Sequence, residues 1–164
     1  MFFVIWHSLN YVMNKTNISE FRLIGISLGC KTYNANGQSG IDCGQLWQTF
    51  EQKKIFNQIN GKIADDCYAV YYDYDGDHTQ PFAYFIGCKV SADAIVPEGL
   101  EALKIPEQAY VHYVAKGKMP DCVASVWREI WQTDYPRNYQ YDFEIYSAKS
   151  FDWSNAEVDV FIGA

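Results

Sequence analysis

Residues 126–147 read VWREIWQTDYPRNYQYDFEIYS, and the change of pattern within them decides the fold. Between residues 122 and 132, apolar side chains recur every three or four positions, which predicts an amphipathic helix. Between residues 139 and 147, aromatic side chains dominate a run of high β propensity. The stretch therefore predicts a helix followed by a strand.

Two further strands complete this half of the chain. Residues 108–115 (QAYVHYVA) predict a strand before the helix, and residues 156–162 (AEVDVFI) predict a strand after 139–147. The order of elements is thus strand, helix, strand, strand.

The same order occurs in the first half of the chain. A β-rich run at 20–33 precedes an amphipathic helix at 41–59, and strands at 67–74 and 82–90 follow. Residues 93–107 contain two prolines and a glycine and predict a connecting loop. The chain therefore contains an internal repeat.

The repeat predicts an α+β fold of two strand–helix–strand–strand modules, about 20–90 and 108–162. Two such modules tend to pack about a pseudo-twofold axis. We expect an antiparallel sheet with both helices on one face and a ligand cleft between the modules. Residues 1–18 are predicted to be an N-terminal extension, and residues 19–164 to be the domain.

The composition excludes several functions. The chain has 164 residues, 49% of them apolar, and a net charge of −7 with no cluster of basic residues. Nucleic acids bind clustered Lys and Arg, so no direct contact with nucleic acid is expected. The apolar run at the N-terminus is too short to span a bilayer, so no membrane contact is expected. Its side chains Phe2, Phe3, Ile5 and Trp6 predict packing on the body of the domain or on a second copy of the chain in a homodimer, and a poorly ordered tail is the alternative.

The cysteines point to a reducing compartment. The five of them are widely spaced and include no CxxC pair, which argues against structural zinc and favours free thiols in the cytoplasm. Asp73, Asp75 and Asp77 resemble a calcium loop but lack the glutamate at its twelfth position. We expect no metal and no cofactor, and no nucleophile–base motif is present to define catalytic residues.

Glu144 is the main candidate for a binding residue. In the strand at 139–147 side chains alternate between faces, so Glu144 shares a face with Asp142 and Tyr146. If the sheet covers this face, the carboxylate is desolvated and requires a cation or a proton. If the face is wet, Glu144 is an ordinary surface residue. The pattern alone leaves both alternatives open.

Aromatic residues, 17% of the chain, supply candidates for a pocket around this carboxylate. Trp47 and Trp127 occupy equivalent positions on the two helices, where core packing is the alternative role. Tyr84 and Tyr110 lie on strands that flank the connection between the repeats. Ring faces attract cations, so an aromatic pocket with one carboxylate suits a flat organic cation.

The order of several motifs resembles a known family. The motifs are LIGISLG (23–29), IDCGQLWQTF (41–50), YAVYYDYDGD (68–77), FAYFIGCKV (82–90), IPEQAYVHYVAKG (105–117), VWREIWQTDYP (126–136), YDFEIY (141–146) and the closing VDVFI (158–162). Together they resemble the gyrase-inhibitor-like (GyrI-like) effector-binding domain over about residues 19–162.

This resemblance implies a duplicated strand–helix–strand–strand fold and an acidic residue, here Glu144, that faces the effector cleft. It implies a ligand site formed by Glu144 and by aromatic candidates: Trp47, Tyr84, Tyr110, Trp127 and Tyr146. No helix-turn-helix region is recognisable in the sequence. The chain is therefore similar to stand-alone integron cassette proteins that bind cationic drugs.

Three functions remain open at this point. The first is binding of lipophilic or aromatic cationic compounds. The second is hydrolysis of reactive electrophiles with Glu144 as general base, as reported for some relatives of the fold. The third is inhibition of a protein partner, as the family name suggests.

Overall fold

Residues 15–164 of the protein are described in a computed structural model. They form eight strands and three α-helices. The strands are β1 Lys15–Ile18, β2 Phe21–Ser27, β3 Lys62–Tyr72, β4 Ala83–Val90, β5 Glu101–Ile105, β6 Gln108–Gly117, β7 Tyr141–Tyr146 and β8 Ala156–Gly163. The helices are α1 Gln38–Gln52, α2 Ile55–Gln58 and α3 Asp121–Trp131.

All eight strands form one curled antiparallel sheet in the order β1-β6-β8-β7-β3-β4-β2-β5. The first module contributes β3-β4-β2, and the second contributes β6-β8-β7. Strand β3 pairs with β7, so the two modules join at the centre of the sheet with pseudo-twofold symmetry. The predicted α+β fold of two strand–helix–strand–strand modules is confirmed.

The two outer strands exchange between the modules. Strand β1 precedes the first module in the chain but pairs with β6 of the second. Strand β5 precedes the second module but pairs with β2 of the first. The predicted extension thus supplies Lys15–Ile18 to the sheet, while the proposed contact residues Phe2, Phe3, Ile5 and Trp6 lie outside the described residues.

Both long helices cover the same face of the sheet. Helix α1 packs through Leu46 and Phe50 onto the first module, and α3 packs through Val123 and Ile130 onto the second. Tyr71 and Tyr146 contact both of these cores. A third core, which includes Phe143 and Tyr110, occupies the opposite face. The junction between the helices therefore lies above β3 and β7.

Two predicted elements differ in the structure. The helix predicted at 41–59 begins at Gln38 and is interrupted after Gln52, because Lys54 adopts a left-handed backbone (φ 52°) before the short α2. The loop predicted at 93–107 contains β5, whose backbone pairs with the free edge of β2. A strand of five residues between prolines is too short to show a clear alternation in the sequence. It forms because it pairs with β2.

None of the helices within residues 15–164 is long and apolar enough to cross a membrane.

Candidate ligand-binding site

Glu144 lies at the centre of the junction between the modules. It faces the helices from β7, directly opposite Ala69 of β3, and only 1% of its surface is exposed. Because the side chain of Ala69 is small, larger neighbouring side chains fill the space above β3 and β7. Of the two alternatives for Glu144, the covered face is the one that the structure shows.

Three neutral groups donate hydrogen bonds to this carboxylate. Trp127 Nε1 of α3 donates to Oε2 over 2.7 Å, and Tyr71 Oη of β3 donates to the same oxygen over 3.0 Å. Tyr146 Oη donates to Oε1 over 2.8 Å. A carboxylate has about four acceptor positions, so Oε1 retains capacity for one more donor.

The aromatic rings around Glu144 also contact one another. The centroid of the Tyr71 ring lies 4.7 Å from that of Trp127 and 5.0 Å from that of Tyr84. Trp47 lies 5.0 Å from Tyr146, and its Nε1 donates to Tyr84 Oη over 2.9 Å. We call these five aromatic residues and Glu144 the Glu144 cluster.

Burial controls the protonation of the Glu144 cluster. It raises the pKa of Glu144, and the hydrogen bonds from Trp127, Tyr146 and Tyr71 lower it by less. Burial also raises the pKa of Tyr71, Tyr84 and Tyr146 well above the usual value, and the Glu144 charge adds to this. The phenols therefore stay protonated and remain donors.

A small cleft adjoins the Glu144 cluster, with a cavity volume of about 20 Å³. Its lining consists of Asn34, Tyr71, Tyr74, His78, Phe82, Trp127, Trp131 and Arg137. Tyr71 and Trp127 belong to both the cleft and the cluster. Their polar atoms bond Glu144 while their rings line the cleft, so these two side chains separate the carboxylate from the opening.

A second buried carboxylate, Asp142, lies two residues before Glu144 on the same face of β7. It forms an ion pair of 2.8 Å with Arg137 Nη2 and accepts hydrogen bonds from Tyr74 Oη and the Gly163 backbone. Unlike Glu144, Asp142 has a cationic partner within the protein.

The structure brings together four of the five aromatic candidates. Trp127 and Tyr146 contact Glu144 directly, while Trp47 and Tyr84 form an outer layer. Tyr110 is not part of the cluster. It lies on the opposite face, where its ring packs 5.0 Å from Phe143.

Sequence reasoning did not single out Tyr71 or Arg137. Tyr71 belongs to the Glu144 cluster because β3 pairs with β7, and this pairing brings it next to the strand of Glu144. The sequence does show that Tyr71 and Ala69 lie on the same face of one strand. This becomes informative only once β7 is known to be the neighbouring strand. Arg137 lies in an irregular segment after α3, where periodicity gives no information.

The sequence family of integron-associated effector binding proteins matches residues 16–163. The chain belongs to this family. No curated protein matches the sequence.

Several solved structures share this fold. An integron cassette protein from Vibrio cholerae is 24% identical with a TM-score of 0.66, covering 92% of this chain and 94% of that one. A putative transcription regulation protein from Staphylococcus aureus is 14% identical with a TM-score of 0.68, covering 91% and 95%. The structure of SAV2435 bound to tetraphenylphosphonium is 13% identical with a TM-score of 0.68, covering 91% of each chain.

Proposed function

We propose that this protein binds lipophilic aromatic cations at the junction between its modules, with Glu144 as the counter-charge. One observation carries the proposal: Glu144 is buried, and its hydrogen-bond partners among residues 15–164 are all neutral. Small-molecule binding agrees with membership of an effector-binding family.

An ionised carboxylate without a cation is costly to bury, even when it is hydrogen-bonded. Asp142 avoids this cost through Arg137, but Glu144 has no equivalent partner in the described part of the chain. A cationic ligand would supply the missing charge. Ligand binding would then also remove the free-energy cost of keeping an ionised Glu144 buried without a cation in the free protein.

The aromatic rings suit the rest of such a ligand. Tyr71 and Trp127 donate hydrogen bonds to Glu144, and this polarisation makes their ring faces more negative. An organic cation is larger than the cleft as it stands, so it would reach Glu144 by displacing one of these rings. The cation would then lie against electron-rich rings with a carboxylate directly behind them.

One structure with the same fold supports the choice of ligand class. SAV2435 has been solved bound to tetraphenylphosphonium, a lipophilic cation. The same ligand is therefore a suitable first probe for this chain.

The proposal predicts that charge, rather than shape, decides binding. Tetraphenylphosphonium and tetraphenylborate have nearly the same shape and opposite charges. In calorimetric titrations we expect saturable binding of the phosphonium and no binding of the borate. Equal binding of both ions would show that the pocket selects only apolar bulk and would contradict the role of Glu144.

The raised pKa of Glu144 predicts a pH dependence. Only the ionised carboxylate attracts a cation, so affinity should fall as the pH is lowered through the pKa of the free protein, approaching about tenfold per pH unit below it. Binding should also release protons near that pKa. Calorimetry in two buffers with different ionisation enthalpies measures this release, and an affinity independent of pH would count against the assignment.

The hydrolytic and inhibitory hypotheses stay predictions. A turnover assay with electrophilic substrates and a gyrase supercoiling assay test them. Saturable binding without product formation supports the binding function.

A further inference from the structure

The Arg137 side chain has more hydrogen-bond donors than partners. Only 4% of this side chain is exposed. Its Nη2 pairs with Asp142, but buried Nε and Nη1 contact no acceptor among residues 15–164. A guanidinium carries five N–H donors in a planar fork, and buried donors without acceptors are rare in folded proteins. These two nitrogens therefore point to a group from outside the chain.

The small cleft, at about 20 Å³, has room for one acceptor atom of that group. Arg137 lines the cleft together with Trp127 and Trp131. His78 stacks on Trp131 at 5.7 Å between ring centroids, and its buried Nδ1 also lacks a partner among the described residues. The cleft thus combines aromatic walls with unsatisfied nitrogens.

The position of Arg137 relative to Glu144 is set by the strand. Asp142, which holds Arg137 Nη2, and Glu144 are two residues apart on one face of β7, so their Cα atoms are about 7 Å apart. The N–H donors of Arg137 therefore lie beside the Asp142 end of the strand, next to the position of Glu144.

We propose that the site selects aromatic cations that also carry an oxygen acceptor, that this oxygen occupies the small cleft, and that Arg137 Nε and Nη1 donate to it. The inference rests on the proposed function and names its ligand class more closely. Since Asp142 already neutralises the Arg137 charge, a neutral carbonyl or carboxamide oxygen suffices.

Two probes of matched shape test the subsite. Benzyltrimethylammonium carries only the cation, and its para-carboxamide derivative adds the acceptor on the far side of the ring. In calorimetric titrations of the wild-type protein we expect the carboxamide to bind roughly tenfold more tightly, as a hydrogen bond to a charged group contributes. Equal affinities would overturn the inference but leave the proposed function standing.

Arg137→Lys keeps a positive charge beside Asp142 but replaces the planar guanidinium, and with it the Nε and Nη1 donors, by a single ammonium group. We expect this variant to lose the preference for the carboxamide, so that both probes bind it with similar affinity. Arg22→Lys is the matched control, because Arg22 donates to Ala94 O at the far side of the first module. The preference should persist in that control, and its persistence in Arg137→Lys would overturn the inference.

A measurement on the wild type keeps the test decisive if Arg137→Lys does not fold. The Nε–H resonance of Arg137 should shift on addition of the carboxamide and not on addition of the parent cation. An unchanged resonance at saturation with the carboxamide would overturn the inference. Failure of both probes to bind at all would instead overturn the proposed function and the inference with it.

Discussion

Glu144→Gln is expected to weaken the binding of tetraphenylphosphonium by about 30-fold or more. Removing one member of a buried charge pair costs about 2–5 kcal/mol, and 1.4 kcal/mol corresponds to a factor of ten. The substitution preserves the shape of the side chain, removes the charge and replaces one acceptor oxygen by an NH2 donor, which Tyr146 Oη can accept by rotating its hydroxyl. Calorimetric titration at neutral pH measures the change, and a variant with wild-type affinity would reject Glu144 as the counter-charge.

Glu129→Gln is the matched control for this prediction. Glu129 lies on α3 like Trp127, but it is exposed, so its replacement alters the net charge by the same amount outside the site. We expect binding close to that of the wild type. A similar loss in both variants would show that the total charge of the protein, and not Glu144, attracts the cation.

Stability distinguishes a functional carboxylate from a structural one. Because the folded protein raises the pKa of Glu144, this group contributes most to stability below its unfolded pKa, and the contribution is lost as the pH rises through the folded pKa. At neutral pH, Glu144→Gln should therefore be no less stable than the wild type. On acidification the wild type should gain stability relative to the variant.

Asp142→Asn is expected to have the opposite effect and to destabilise the protein by about 3–5 kcal/mol. The substitution leaves the buried Arg137 cation without a counter-charge, which is the costly way to break such a pair. For a chain of this length the thermal midpoint should fall on the order of 10 °C. Thermal unfolding followed by circular dichroism measures the shift.

Asp75→Asn provides the comparison for this second prediction. Asp75 also forms an ion pair, with Lys31 at 2.6 Å, but its side chain is 51% exposed. Water and salt screen such pairs, so little change in stability is expected. If Asp142→Asn and Asp75→Asn unfold at the same temperature, the buried pair does not anchor the segment after α3.

The opposite expectations for Glu144 and Asp142 follow from their partners. Both carboxylates lie on the same face of β7 and both are buried. Asp142 has a guanidinium, while Glu144 has two phenols and an indole. This difference assigns a structural role to Asp142 and leaves Glu144 as the ligand-binding candidate.

The sequence by itself determined most of the helices and strands and the set of side chains that share a face with Glu144. Local periodicity records which side chains of one strand or helix share a face, because that geometry depends only on neighbours in the chain. It placed Glu144 with Asp142 and Tyr146, and it gave Trp47 and Trp127 equivalent positions on their helices. The repeat of these patterns predicted the two modules.

Only the tertiary structure decided which residues from different elements meet. The pairing of β3 with β7 brought Tyr71 to Glu144, and the position of Tyr110 in β6 directed its ring to the opposite face. The partner of Asp142 came from an irregular segment, and β5 depends on its pairing with β2. These contacts join residues far apart in the chain, and they arise from strand order and packing, which no local pattern encodes.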